Sequence, residues 1–251
     1  MAEHMQESKI LLHESGKRFL IKDTDKDFHC QFGTIKKEEL SSAEGTEIMT
    51  NKGVPLRVMN AQLPDLFSKI KRNAQIIPAK DVGFIISEAG INKNSVVVDA
   101  GAGSGGICLS MAAIAKKVYS YDIREDHIAI VNKNKDLLGM RNLHIDRKDI
   151  TKDKISVKAD VVTLDIPSPW DALDNVARFL KVGGFLVSYS PTIPQSSDMV
   201  EQVKEQGKYT YIKTIEINER EWEVSGRKIR PKTQQRIGHS GFISFFRKTK
   251  T

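Results

Sequence analysis

From residue 95 to residue 206 the chain alternates short apolar runs with amphipathic segments, and two of the runs, Val96-Val97-Val98 and Val161-Val162-Thr163-Leu164, are apolar on both faces. A strand with two apolar faces must be covered twice, which is the condition of a parallel sheet packed between helices. The pattern predicts strands at 95–99, 118–122, 143–146, 160–165 and 184–190, with helices at 104–115, 125–138, 171–180 and 196–206. The tail departs from it. Segments 209–224 and 238–247 both read as long strands with no helix between them, so they are expected to be antiparallel neighbours.

The first 60 or so residues have a different texture. Short runs such as Arg18-Phe19-Leu20-Ile21 and Val54-Pro55-Leu56-Arg57-Val58 are punctuated by Gly16, Gly33, Gly45 and Gly53, the signature of a small β module. Leu63-Pro64-Asp65-Leu66-Phe67 reads as a helix start with proline in the first turn, and 81–89 as a second helix stopped by Gly90. The expected organisation is a β domain over 1–62 and an α/β domain over 63–251.

Bulk properties narrow the function classes. A chain of 251 residues with 39% hydrophobic and 28% charged residues is that of an ordinary globular protein. Its formal charge of +7 favours polyanionic partners. Cys30 and Cys108 are far apart and form no C-x-x-C pair, so neither a zinc site nor a disulfide framework is expected. No apolar run approaches a membrane span, and Glu3 and Glu7 interrupt the N-terminus, which argues against a secretory leader. These features point to a reducing, cytoplasmic setting.

The sharpest local feature is Asp99-Ala100-Gly101-Ala102-Gly103-Ser104-Gly105-Gly106, directly after a strand and opening a helix. Gly101 allows a tight turn, while Gly103 and Gly105 let backbone approach a ligand. Gly101, Gly103 and Gly106 also satisfy G-x-G-x-x-G, so a dinucleotide site is a rival reading. Asp99 tips the balance, because a carboxylate two residues before the first glycine suits the ammonium of an amino-acid moiety and gains a pyrophosphate nothing. The antiparallel tail points the same way, toward an S-adenosylmethionine (SAM) binding fold.

Further acids follow the other strands. Asp122 ends Tyr119-Ser120-Tyr121-Asp122, where a carboxylate can accept from two ribose hydroxyls or else cap the next helix. Asp149 in Lys148-Asp149-Ile150 can accept from an adenine amino group, with Ile150 beside the ring, or be a solvated loop acid. Asp165 ends an apolar strand in Asp165-Ile166-Pro167-Ser168-Pro169-Trp170, at the carboxyl edge where open α/β sheets bind ligands. An acid there is costly to bury without a partner. The two prolines stiffen the loop, and a fixed carboxylate beside Trp170 suits a flat base with an exocyclic amine, unless Trp170 is a core residue.

Taken in order, these pieces resemble the tRNA (adenine-N1)-methyltransferase family over most of the chain. The resemblance is carried by Gly45-Thr46-Glu47-Ile48, Leu63-Pro64-Asp65, Ala74-Gln75-Ile76-Ile77 with Lys80-Asp81, and the glycine loop. Tyr121 to Asp126, Asp165 to Trp170, Arg230-Pro231 and Gly238-His239-Ser240-Gly241-Phe242 complete it. It implies the class I SAM-dependent methyltransferase fold, a mostly parallel seven-stranded sheet with an antiparallel C-terminal strand, preceded by a small β domain. It also implies SAM as cofactor, a cytoplasmic homotetramer, and a T-loop adenine of tRNA as target, position 58 with 57 also open in archaeal-type members. Gln75, Asp122, His127, Asp149 and Asp165 would line the SAM and base pockets. Where the family has an aromatic residue after Gln75-Ile76-Ile77, typically tyrosine, this chain has Pro78-Ala79, and Trp170 or Tyr189 is the expected replacement.

Arg227, Lys228, Arg230, Lys232 and Arg236 lie between the tail strands with no intervening acid, and Lys69, Lys71 and Arg72 add a second cluster. Such a loop is either a solubilising surface or a contact for RNA phosphates. The expected chemistry is in-line attack of adenine N1 on the sulfonium methyl, with Asp165 accepting from the N6 amino group and no metal required. Other readings stay open on sequence alone: a SAM-dependent methyltransferase of ribosomal RNA or of protein isoaspartate, a non-catalytic RNA-binding subunit, and an NAD(P) oxidoreductase. The complete glycine loop argues against the non-catalytic subunit.

Overall fold

The structure is a computed structural model and describes residues 8–21, 23–232 and 239–251. The described residues fold as two compact units, one within residues 1–71 and 134–141 and the other within residues 72–133 and 142–251.

The first unit is built on short strands: β1 (Lys9–Leu12), β2 (Arg18–Ile21), β3 (Phe28–Cys30), β4 (Gly33–Ile35), β5 (Glu47–Met49) and β6 (Pro55–Asn60), with helices α1 (Lys37–Leu40) and α2 (Leu63–Phe67). β2, β1, β6 and β5 lie in that order in one antiparallel sheet, and β3 pairs with β4. Leu11, Ile21, Ile35, Leu40, Leu56 and Val58 form the core beneath it. The expected glycine turns are present, with Gly16, Gly33, Gly45 and Gly53 at positive φ. Pro64 stands in the first turn of α2, where the Asp65 carboxylate accepts from the Gln62 N–H at 2.9 Å and from Arg18 at 2.7 Å.

The second unit contains α3 (Ala79–Glu88), β7 (Val96–Ala100), α4 (Gly106–Ala112), β8 (Lys117–Asp122), most of α5 (Glu125–Leu137), β9 (Leu143–Arg147), β10 (Ala159–Leu164), α6 (Leu173–Phe179), β11 (Leu180–Ser190), α7 (Ile193–Gln206), β12 (Tyr209–Glu216), β13 (Trp222–Ser225), β14 (Lys228–Pro231) and β15 (Phe242–Lys248). Among the described residues, seven strands form one sheet in the order β12-β15-β11-β10-β7-β8-β9. β7 to β11 run parallel, whereas β15 is antiparallel to both β11 and β12. The sheet order reverses beside β7, between β8 and β10, so the carboxyl ends of these strands frame a crevice. The doubly apolar strands are buried as expected, with Val97, Val98 and Val162 at 0% exposure and Val161 at 2%. Val98, Val162, Leu186 and Phe246 join Val176 of α6 and Met199 of α7 in the main core.

Two elements differ from the sequence reading. The helix expected at 104–115 begins only at Gly106, because the preceding glycines are spent on a turn. The single strand expected at 209–224 is two strands. β12 stays in the sheet, and β13 leaves it to pair with β14 through the two-residue turn Gly226-Arg227, Gly226 having φ of +55°. Glycine at the first turn position is what a tight hairpin requires. The last strand starts at Phe242, and Gly238 lies outside the described residues.

Candidate functional site

The turn after β7 is shaped by close approaches that only glycine permits. Gly101 has φ of +91°, and a Cβ there would overlap the carbonyl oxygen of Asp165. That contact brings the residue after β10 against the residue after β7, and it is clamped by the Asp165 N–H donating to Ala100 O at 2.8 Å. Gly103 donates its N–H to the Asp122 carboxylate at 3.1 Å. The later loop residues serve packing. A Cβ on Gly105 would lie 2.7 Å from Leu109 Cδ1, and one on Gly106 would lie 2.8 Å from Ile76 Cγ2. Ser104 Oγ accepts from the Asn73 and Ala74 N–H groups at 3.0 and 2.9 Å and donates to Ala74 O at 3.0 Å. Ser104, Gly105 and Gly106 therefore stand behind the loop, where they fix the segment that carries Gln75.

In front of the loop opens a cavity of about 460 Å³. Of the residues expected to bind a cofactor, Gln75, Gly101, Gly103, Asp122, His127, Asp149, Ile150 and Asp165 line it. The volume falls in the range of small-molecule sites, roughly 300–1,000 Å³.

Asp99 is placed differently from its expected role. It is 1% exposed and lies outside the cavity lining, with Ser120 Oγ and Thr163 Oγ1 each donating to one of its oxygens at 2.7 Å. Its carboxylate thus ties β7 to both neighbouring strands. Alternation along β7 explains this, since Asp99 points into a helix-covered face and the next residues form the turn. Burial pushes its pKa up to about 6, against the pull of those two hydroxyls.

Asp122 sits where expected, at the end of β8. One oxygen accepts from the Arg124 N–H at 2.9 Å, and the other accepts from Gly103 and meets His127 Nδ1 at 2.9 Å. His127, in the first turn of α5, is held by this contact with its side chain 12% exposed. Asp149 is satisfied within its own loop. Its Oδ1 accepts from the Thr151 N–H and hydroxyl at 3.0 and 2.6 Å, and Lys152 pairs with Oδ2 at 3.0 Å, which hold its pKa below the ordinary carboxylate range. Ile150 beside it is 4% exposed.

Asp165 is half-buried at the mouth of the turn. Burial, then the negative charges of Asp99 and Asp122, push its pKa up to about 7. Asp122 and Asp165 in the cavity wall, with Asp99 buried behind them, make the glycine-turn end of the site favour a cation over a pyrophosphate. This is the physical ground for preferring a sulfonium- and ammonium-bearing ligand over a dinucleotide.

The sequence reading missed several wall residues. Tyr121, Ile123, Lys148, Thr151, Ile166 and Pro167 also line the cavity. Ile123 is 61% exposed, an apolar side chain left open beside Asp122, and Lys148 Nζ lies 5.5 Å from the Tyr121 ring centroid. The signal was the apolar residues flanking an acid at a strand end. Trp170 is partly buried against the main core and is absent from the cavity lining. Tyr189 is 7% exposed, and its hydroxyl donates to Asp81 at 3.2 Å. Tyr121 supplies the phenol ring in the cavity wall.

The expected acid-free basic loop is corrected by the hairpin. β13 and β14 place Glu223 opposite Arg230, and Lys228 and Arg230 pair with Glu223 at 2.6 and 3.0 Å. Lys232 pairs with Glu221. Acids remote along the loop become neighbours across the ladder. Arg227 is exposed at the turn, and Arg236 lies outside the described residues. Among the described residues no cluster of His, Cys, Asp or Glu is arranged to hold a metal ion, and no helix is long and apolar enough to cross a membrane.

Comparison with known proteins places this geometry. A family model described as "tRNA methyltransferase complex GCD14 subunit" matches residues 58–245. A tRNA (adenine(57)-N(1)/adenine(58)-N(1))-methyltransferase of Methanocaldococcus jannaschii is 33% identical, with 95% of this chain and 94% of that protein covered. A tRNA (adenine(58)-N(1))-methyltransferase of Thermus thermophilus is 31% identical, with 89% of each covered. Among solved structures, a SAM-dependent O-methyltransferase of Thermotoga maritima superposes with a TM-score of 0.88 at 26% identity, covering 98% of this chain and 94% of that one. A tRNA (m1A58) methyltransferase of Aquifex aeolicus gives 0.83 at 23% identity, covering 98% of each, and supports the fold.

Proposed function

The chain belongs to the tRNA methyltransferase family that matches residues 58–245, and from that membership and the cavity we infer that it moves the methyl group of SAM to N1 of an adenine in the T-loop of tRNA. Position 58 is the primary target, and 57 is a second, as in the name of the Methanocaldococcus relative. The observation that carries this reading is Asp165, which lines the cavity and whose backbone packs against the glycine turn of β7.

The residues present fit SAM. Gly101 and Gly103 line the cavity with bare backbone, Asp122 offers acceptors at a strand end, and Ile123 and Ile150 supply apolar contacts for a base. When bound, SAM supplies an electrophilic methyl group on a sulfonium. Asp165 orients the target adenine by accepting a hydrogen bond from its N6 amino group, which aims N1 into the cavity. With SAM bound, the N1 lone pair would form the new C–N bond as the S–C bond breaks, and the positive charge would pass to the base. Asp165 stabilises that charge as it develops. A neighbouring cation also favours the ionised form of a carboxyl whose pKa otherwise lies about 7.

Unmodified tRNA, labelled SAM and primer extension test the reading. A methyl-dependent stop in the T-loop is the expected result, and label confined to ribose or exocyclic positions refutes it. From the family resemblance we also propose a homotetramer working in the cytoplasm. Sedimentation at micromolar concentration checks the assembly, and a monomer would exclude it.

A further inference from the structure

Of the cations that the sequence offers for RNA contact in the tail, Lys228, Arg230 and Lys232 are paired with Glu223 and Glu221, and a second group lies elsewhere. A cavity of about 720 Å³ opens where β10 and β11 begin and β15 ends. Lys158, Arg178, Lys181, Lys208 and Lys248 line it, with Asp174 the one acid among its lining residues. Their compensation is incomplete. Lys181 pairs with Asp160 at 2.6 Å, but Lys208 stands 3.6 Å from Asp174. Among the described residues, Lys158 and Lys248 meet only carbonyl groups, Lys158 donating to Arg178 O at 2.9 Å and Lys248 to Ala177 O and Leu180 O at 2.5 and 2.8 Å. Those carbonyls end α6. Helix-end dipoles attract cations, but they leave the charge uncancelled. Arg178 makes no ion pair among the described residues.

Lys248 reports the crowding. It is 5% exposed, and its pKa is lowered first by burial and then by repulsion from Lys158 and Lys208. An anion in the cavity relieves that repulsion.

We propose that this cavity is a phosphate-binding site and that the phosphates it takes are those of the substrate RNA backbone. The chemistry of the ligand follows from the cations alone, while its source rests on the reading of the protein as a tRNA methyltransferase. Lys158 directly precedes β10 and Asp165 directly follows it, so the site lies about 20 Å from the cavity that takes the adenine. The two sites stand at opposite ends of the buried strand β10, so an RNA that occupies both passes around the domain, along a path longer than that distance.

The test uses the full chain and the double variant Arg178→Gln/Lys208→Gln. Both side chains are at the surface, and the helix-capping Lys158 and Lys248 are left intact. Binding of unmodified tRNA is measured across a salt series, and thermal unfolding is measured with and without inorganic phosphate. The expected result is a tRNA Kd raised about tenfold and a salt slope reduced by roughly 1.5, since each lost phosphate contact removes about 0.7–0.9. SAM affinity and kcat at saturating tRNA stay at wild-type values. An unchanged Kd and slope, with phosphate stabilising the wild type and not the variant, would mean a free anion site and overturn the RNA source. No change in either measurement overturns the site itself. Failure of the wild-type chain to bind tRNA refutes instead the reading of its substrate and leaves the phosphate arm to decide the site.

Discussion

Gly101 and Asp165 touch across the sheet switch point, the missing side chain of the first making room for the backbone carbonyl of the second. The contact sets the distance between the turn that would cradle a nucleoside and the carboxyl that would hold the target base. Gly101→Ala meets both a positive φ of +91° and a backbone atom that cannot step aside. The expected outcome is a loss of about 1–3 kcal/mol in stability and of SAM binding together. Calorimetric unfolding and SAM titration check it, and a variant with wild-type SAM affinity would contradict the role given to this contact.

Asp165→Asn keeps the shape and removes the charge. A loss of about 100-fold or more in kcat is expected, with SAM affinity changed only a few-fold, on the scale of other single electrostatic groups. With the carboxyl raised to about 7, the wild-type kcat/KM should climb with pH through that value, and the variant should lose the step. A variant that keeps most of its turnover would rule Asp165 out.

The same group makes a stability prediction of opposite sense. Its folded pKa lies above the ordinary 3.8, so the folded chain holds a proton that the unfolded chain releases. The stability it contributes is full below about pH 4 and is lost as pH rises through about 7. Asp165→Asn should therefore raise the Tm of the ligand-free protein at pH 8 and leave it nearly unchanged at pH 4. Equal shifts at both pH values would mean that the carboxyl's pKa is not raised in the folded state.

Thr163→Val removes one of the two hydroxyls that donate to Asp99 without changing shape. Leaving a buried carboxyl oxygen without its donor costs about 1–3 kcal/mol. Because Asp99 is also raised, to about 6, the loss should be greatest above that pH, where the group must ionise. Denaturant melts at pH 5 and pH 8 measure it, and an equal loss at both would remove the charge from the argument.

Glu223→Gln releases Lys228 and Arg230 from their exposed ion pairs. Exposed pairs are worth about 0–1 kcal/mol, so stability should hardly move. If the hairpin meets RNA, tRNA should bind more tightly and with a steeper salt dependence. Unchanged binding would take the hairpin out of the RNA surface.

Much of the catalytic unit was legible without coordinates. The doubly apolar strands, the glycine turn and the acids at the ends of β8 and β10 are local patterns, and each sits in the structure within a few residues of its predicted place. What failed was whatever depended on the partner across a strand. Asp99 reads like a ligand carboxylate, yet it faces Ser120 and Thr163 on neighbouring strands. The tail cations read as unopposed because Glu221 and Glu223 stand several residues away until Gly226 folds the chain back on them.

The linear chain therefore determined the fold class and the edge of the sheet where chemistry can occur, because hydrophobic period and glycine placement act within a few residues. Tertiary structure decided which acid lines the cavity, which supports it from behind, and which cations stay unneutralised. Burial and charge compensation depend on neighbours that are distant in sequence, such as Lys158, Lys208 and Lys248 around one cavity. No local pattern encodes that gathering.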